Sequence, residues 1–344
     1  MIVRRSVIAE RKRRLSGLNI LYASNDGFAR HLGTSMCSLF DKNQDMKDIT
    51  VYVLSLGLSE ENRGKLKEIA DRYNRRLEIL ELGDIREKFD FEVDTGGYDI
   101  SIMGRLFMGE MLPETVERVL YLDCDTVVVR SLKKLWKEDL GGAVFGAVME
   151  PTIYETVKES IGLSKEDGYY NSGMLLVDLV RWREEHVQEK LLAFLKEKGG
   201  ALFASDQDLL NGALKGQIHT LMPEWNFFPN YRYFSYKTLV EHSPSYGAVS
   251  KNDFQKAKKH PAVIHFMGDE RPWIRGNLNH YRLAYEKYLA MTPWAGTPKQ
   301  TGKELYMLMY HAMDYATAVC PEIRWYISRK FGMKAVMSRK VTGR

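Results

Sequence analysis

Apolar positions recur along the first half of the chain in two alternating rhythms. Short apolar runs rich in aliphatic and β-branched residues, LNILYAS (18–24), DITVYVLS (48–55) and RLEILEL (76–82), read as strands. Between them the spacing lengthens to a helical period, first through about Phe40 and again over 59–74. That second helix opens on Ser59 as a candidate N-cap, with acids in its first turn where the helix dipole favours them. Strands alternating with helices predict parallel α/β units. A helix over 101–112 then leads into an apolar strand ending at Asp123. Further strands are expected at AVFGAV (143–148), NSGMLLVDL (171–179) and AVIHF (262–266), and further helices at 181–197, 205–214 and 277–289.

Residues 291–302, with two prolines and two glycines, read as a linker. Beyond it a Met- and Tyr-rich helix over 305–320 stops at Pro321. This helix is apolar on nearly every side, so it must be buried against protein or laid on a membrane. The fold class is therefore α/β, strands flanked by helices with a C-terminal helical extension. The expected parts are a basic arm at 1–16, the α/β domain at 17–290, the linker at 291–302, and the extension at 303–344.

Composition adds bounds. The 344 residues can bury a substantial core, and no apolar run is long enough to span a membrane. The basic N-terminus lacks the apolar stretch of a secretory signal. Three cysteines without metal-type spacing suit a reducing compartment, so a cytoplasmic location is expected. Charge is uneven: residues 1–14 carry +5 and residues 322–344 carry +6 against a chain total of +5, leaving the body between them at −6. A mildly acidic body with basic ends argues against a nucleic-acid-binding core.

The candidate chemistry begins with YLDCDTVV, where Asp123 and Asp125 flank Cys124 inside an otherwise apolar run. An ionised carboxylate there is costly unless paired. Two carboxylates at the carboxyl end of an α/β strand can share a hard divalent cation, which can in turn bridge a diphosphate. A bare D-x-D is also explained by a solvated pair where strand meets loop. HFMGDERPW then offers His265 at a strand end, Gly268 and the cation Arg271. Imidazole can complete a metal shell, Gly268 lets backbone approach a phosphate, and Arg271 can neutralise it. YYNSGMLLVDL and SDQDLLNG add Asn171, Asp206 and Gln207, side chains suited to sugar hydroxyls, although a turn and a helix N-cap explain those segments equally well.

The ordered set LYASNDGFA, RLFMGEMLP, YLDCDTVV, YYNSGMLLVDL, SDQDLLNG and HFMGDERPW, spread from about Leu18 to Leu289, resembles glycosyltransferase family 8. These are retaining nucleotide-sugar transferases that include bacterial lipopolysaccharide galactosyl- and glucosyltransferases and glycogenin. The resemblance implies a GT-A-type (Rossmann-like) fold, a mixed sheet flanked by helices. It implies that Asp123, Asp125 and His265 hold Mn2+, with Mg2+ the alternative ion. Ala23, Asn25 and Asp26 would lie along the uridine of a UDP-sugar, with Phe28 against uracil. Arg105 and Cys124 would belong to the donor site, Asn171, Asp206 and Gln207 would surround the donor sugar, and Gln207 with Asp206 would stand at the reacting centre. Gly268 and Arg271 would clamp the diphosphate. The chain departs from the family at position 25, Asn where several members have Asp, and at 271, Arg where Lys is usual.

The implied reaction moves a hexose, glucose or galactose, from UDP to a saccharide or lipid-linked saccharide in lipopolysaccharide or cell-surface polysaccharide synthesis. A rival from another class is a haloacid-dehalogenase-type phosphatase, in which a strand-end D-x-D supplies an aspartyl nucleophile. That motif normally opens its domain, whereas here 122 residues precede it. Aromatics interleaved with seven basic residues after Pro321 suit an anionic membrane surface, so peripheral docking on the inner face of the membrane is expected.

Overall fold

The computed structural model describes residues 17–327 and 330. The basic arm at 1–16, and the basic tail at 328–329 and 331–344, lie outside the described residues. Seven strands form one sheet in the order β3-β2-β1-β4-β7-β6-β8. Its first half is parallel: β1 (Leu18–Asn25) lies between β2 (Ile49–Leu56) and β4 (Arg118–Leu122), and β3 (Arg76–Glu81) extends β2. The second half turns antiparallel at β7 (Tyr170–Asp178), which pairs with β4 and with β6 (Phe145–Met149), while β8 (Ile218–Leu221) closes the edge parallel to β6. A separate ribbon pairs β5 (Thr126–Val128) antiparallel with β9 (Val263–His265).

Both sheet faces are buried, which explains why these strands read as near-continuous apolar runs. In β4, Leu120 and Leu122 join one core while Val119 and Tyr121 join the other, the alternation that a strand's two-residue period requires. Helix α1 (Ala29–Lys42) covers the first face and is buried from His31 to Phe40, since α2 (Glu60–Arg72) and α5 (Arg282–Leu289) pack against it. Ser59 caps α2 as its sequence predicts, its side chain accepting from the Asn62 N–H.

Three expected helices differ. The segment at 101–112 is a 3-10 helix at Ile100–Phe107 followed by a single α-turn at Met108–Met111. The stretch at 181–197 divides into Leu179–Glu184 and α3 (Val187–Glu197) because His186 adopts φ 52°, which ends one helix and starts the next. The helix at 277–289 starts only at Arg282, because Asn277 and Asn279 use their side chains to cap the preceding turns. α4 (Asp206–Ala213) and the C-terminal pair α6 (Glu304–Val319) and α7 (Pro321–Ile327) complete the elements used below.

α6 is seated on the α/β body. Met307, His311, Asp314 and Thr317, spaced three or four apart, form its buried face, while Leu305, Leu308, Met309, Tyr315 and Val319 remain exposed. Its pattern is thus inverted: mostly polar groups face protein and large apolar ones face outward.

Candidate active site

β4 ends at Leu122, and the chain then turns so that Asp123 and Asp125 rise from the carboxyl end of the parallel strands. The Asp123 N–H donates to the Gly173 carbonyl at 2.8 Å, tying the turn to β7. The β5–β9 ribbon sets Thr126 opposite His265, and the Phe266 N–H donates to the Asp125 carbonyl at 2.9 Å. This pairing brings the histidine to the two aspartates. His265 Nε2 lies 3.2 Å from Asp125 Oδ1 and 3.7 Å from Asp123 Oδ2, and one ligand atom from each of the three residues falls within 4.8 Å of the others.

The other ring nitrogen of His265, Nδ1, lies 3.0 Å from Asn226 Oδ1. An Nδ1–H donating to that oxygen leaves Nε2 as the nitrogen facing the carboxylates, the tautomer a metal ligand needs. Burial pulls the His265 pKa down, but the facing Asp125 carboxylate outweighs it and raises it. Burial would push Asp125 up, yet His265 and Arg271 hold its carboxyl at about 2. Two carboxylate oxygens and one imidazole suit Mn2+ or Mg2+, so the residues present fit a divalent cation.

Arg105, on the 3-10 helix, is nearly fully buried and stacks its guanidinium 4.4 Å from the Tyr121 ring. It donates to Asp123 Oδ1 at 2.9 Å and to the Ser172 carbonyl at 2.5 Å, and its Nε lies 3.2 Å from Asp206 Oδ2. Asp123 also accepts from the Tyr121 hydroxyl at 2.7 Å. Burial lifts the Asp206 carboxyl to about 6, an effect that Arg105 opposes and Asp123 reinforces.

Asn171 and Gln207 meet in a shared amide network. Asn171 donates to Glu150 Oε2 at 2.9 Å and to Gln207 Oε1 at 2.7 Å, while Gln207 Nε2 donates to the same Glu150 oxygen at 3.1 Å and to the Tyr169 hydroxyl at 3.1 Å. Asn226 donates to Asn171 Oδ1 at 2.9 Å, so the network continues to His265. Burial raises the Glu150 pKa, with both amides opposing that shift. Ser205, just before α4, takes φ 50° and ψ −119°, a conformation rare for a residue with a side chain. That bend turns Asp206 and Gln207 into the cleft.

Most of these groups line one cleft of about 510 Å3, with Asn226 and Tyr169 behind its wall. The structure places Ala23, Asn25, Phe28, Arg105, Asp123, Cys124, Asp125, Asn171, Asp206, Gln207, His265, Gly268 and Arg271 in its wall. Asp26 lies elsewhere: its carboxylate accepts from the Ser59 N–H at 2.8 Å and from Asn62 at 2.7 Å, at the start of α2. The Asn25 side chain accepts from the Phe28 N–H at 3.1 Å and shapes the turn that carries the ring. Sequence reasoning missed Glu150, Asn226 and the Tyr98–Asp99 wall. Glu150 follows an apolar strand with no polar neighbour to mark it. Asn226 falls in a loop whose neighbours read as core.

Comparison with known proteins gives a consistent answer. The family model described as Glycosyl transferase family 8 matches residues 19–276. General stress protein A of Bacillus subtilis is 28% identical over 280 residues, 80% of this chain and 94% of that protein. The lipopolysaccharide 1,2-glucosyltransferase of Escherichia coli is 24% identical over 331 residues, 92% of either chain. Among solved structures, galactosyltransferase LgtC in complex with donor and acceptor sugar analogues shares the fold with a TM-score of 0.67, over 84% of this chain and 99% of that one, at 23% identity.

Proposed function

The chain belongs to glycosyltransferase family 8, a GT-A-type α/β transferase, and from that premise we propose that it moves a hexose from a UDP-sugar to a saccharide hydroxyl with retention of anomeric configuration. The observation that carries this reading is the convergence of Asp123, Asp125 and His265 at one wall of the cleft that also holds the Asn171–Gln207–Glu150 network. The lipopolysaccharide 1,2-glucosyltransferase among the relatives supports glucose as the hexose, with galactose the alternative, and a cell-surface or lipid-linked glycan as the acceptor.

In this reading Asp123, Asp125 and His265 hold Mn2+ or Mg2+. Bound there, the ion would offset the charge of the diphosphate and the charge that grows on it as it leaves. Arg105 keeps Asp123 aimed, and His265 is aimed by Asn226. Arg271 supplies a further cation toward the phosphates. Phe28 offers a face to the base, and Asn171 with Gln207 presents the donor sugar with fixed amide groups.

Retention by double displacement needs a nucleophile beneath the anomeric carbon, usually a carboxylate. The family resemblance assigns that place to the Gln207 amide, a poor nucleophile, and the Glu150 carboxylate is engaged by both neighbouring amides. The acceptor hydroxyl therefore attacks from the face the diphosphate is leaving. The sugar–phosphate C–O bond breaks with its electron pair going to the β-phosphate oxygen, the acceptor oxygen bonds the anomeric carbon, and its proton passes to that phosphate. The phosphatase alternative would need Asp123 as a free nucleophile, whereas its Oδ1 already accepts from Arg105 and Tyr121.

A panel of UDP-sugars scored by UDP release tests the reading. Chelator should abolish release, Mn2+ should restore it, and Asp125→Asn should lower turnover by about 100-fold or more while the protein stays folded. Full activity in excess chelator would exclude the metal assignment. Trapping a glycosyl group on Asp206 or Gln207 would exclude same-face attack.

We also propose that the C-terminal extension docks the enzyme on an anionic membrane surface. The outward apolar face of α6 and the basic residues that follow it support this. Among the described residues, no helix is long and apolar enough to cross a membrane.

A further inference from the structure

The loop from Met267 to Arg271 leaves β9 carrying both clamp residues, Gly268 and Arg271. Arg271 reaches the cleft wall with its Nε buried and without a hydrogen-bond partner among the described residues. The position of such a donor depends on whatever holds its loop. Two tyrosines of α6 do so. Tyr306 donates to Asp269 Oδ2 at 2.7 Å, and Tyr310 donates to Glu270 Oε1 at 3.0 Å. The loop carbonyls are held as well: Asn277 donates to the Asp269 carbonyl at 2.9 Å and Asn279 to the Glu270 carbonyl at 2.5 Å.

α6 is itself braced. Arg324, on α7, donates to the Tyr310 hydroxyl at 3.2 Å and to Asp314 Oδ1 at 2.5 Å. The Leu278 N–H donates to His311 Nε2 at 2.8 Å, so the Nδ1–H of that ring is the one that faces Asp314 Oδ2 at 3.1 Å. A Cβ at Gly276 would come within 3.3 Å of Glu304 Cα, which shows how closely the loop and helix approach. The α6–α7 pair thus meets the two residues lying between Gly268 and Arg271, and meets them with hydroxyl groups directed at their carboxylates.

We propose that Tyr306 and Tyr310 are positioning residues for the diphosphate clamp, so that the C-terminal helices set donor affinity as well as any surface on which the enzyme works. This rests on the reading of Arg271 as a phosphate-binding residue. Neither tyrosine lines the cleft. Their hydroxyls fix Asp269 and Glu270, and through them the direction in which Arg271 points.

The test compares Mn2+-dependent binding of UDP with binding of uridine, which lacks the phosphates, in the full-length chain. Tyr310→Phe and the double variant Tyr306→Phe/Tyr310→Phe should weaken UDP by about tenfold, since a clamp displaced by a fraction of an ångström loses its charge-assisted bonds. Uridine affinity should not change, and KM for the UDP-sugar should rise more than kcat falls. Tyr306→Phe alters a half-exposed side chain and serves where the change at half-buried Tyr310 disturbs folding. Unchanged UDP affinity in the double variant, or equal losses for UDP and uridine, would overturn the proposal. Arg271→Ala separates the two levels. If it weakens UDP while the tyrosine variants do not, the clamp stands and the support fails; if it leaves UDP untouched, the clamp reading fails and takes the support with it.

Discussion

Gly173 shows how strictly single atoms govern the site. A Cβ there would lie 2.1 Å from His265 Cε1 and 2.7 Å from Asp123 Oδ2. Both contacts are shorter than van der Waals separation, so one ligand must move. Gly173→Ala should therefore lower Mn2+ affinity by about 10- to 100-fold with little change in secondary structure, read by Mn2+ titration and circular dichroism. Unaltered Mn2+ affinity would show that the three ligands do not act together. In the sequence this glycine is only one small residue in YYNSGMLLVDL, and nothing local says that a histidine 92 residues later will press against it. The carboxylates were legible because an apolar strand makes a charged pair conspicuous. Glu150 was not, since a single acid after a strand has many ordinary explanations.

At the level of elements, the parallel strands and the Ser59-capped helix follow from periodicity alone, because local pattern and burial agree there. The departures arise where backbone groups found closer partners. Asx-type caps shortened the helix before Leu289, and a left-handed His186 divided another. α6 is the informative case: its many apolar residues gave no indication that His311, Asp314 and Thr317 would be the ones to face protein. Leu308 and Met309 remain 62% and 65% exposed on α6. Vesicles rich in anionic lipid should bind the full-length chain, and added salt should weaken that binding. Leu308→Asp/Met309→Asp should reduce it by about tenfold or more, with each lost apolar contact worth roughly 1–2 kcal/mol. A co-sedimentation assay showing no salt-sensitive binding, or no loss in the double variant, would remove the membrane from the proposal.

Across the whole molecule, the junction between the α/β body and the C-terminal helices carries an unbalanced charge. Glu270 and Asp314 are both buried and face one guanidinium, that of Arg324. Burial first, and then the nearby Asp314, raise the Glu270 carboxyl from 4.5 to about 7. The unfolded chain releases this proton near 4.5, while the folded chain keeps it until about 7, so the folded state binds more protons between those values. Stability then falls as pH rises through that window, by on the order of 3 kcal/mol for a shift of this size. Glu270→Gln should flatten that slope and melt higher than the parent at pH 8, measured by thermal unfolding across pH. Parallel curves for the two proteins would show that Glu270 is not the source.

The β5–β9 ribbon has a consequence for the order in which a nascent chain acquires its parts. Strands β1 to β4 and both aspartates leave the ribosome early, and the parallel half of the sheet needs only contacts among them. His265 arrives on β9, after every strand of the large sheet has been made. Until then the aspartates lack their imidazole and Arg271 is still untranslated. If His265 and Arg271 act as proposed, an incomplete polypeptide lacks the groups that would grip an activated sugar and so is spared wasting it on water, because the last strand to be synthesised is the one that completes the site.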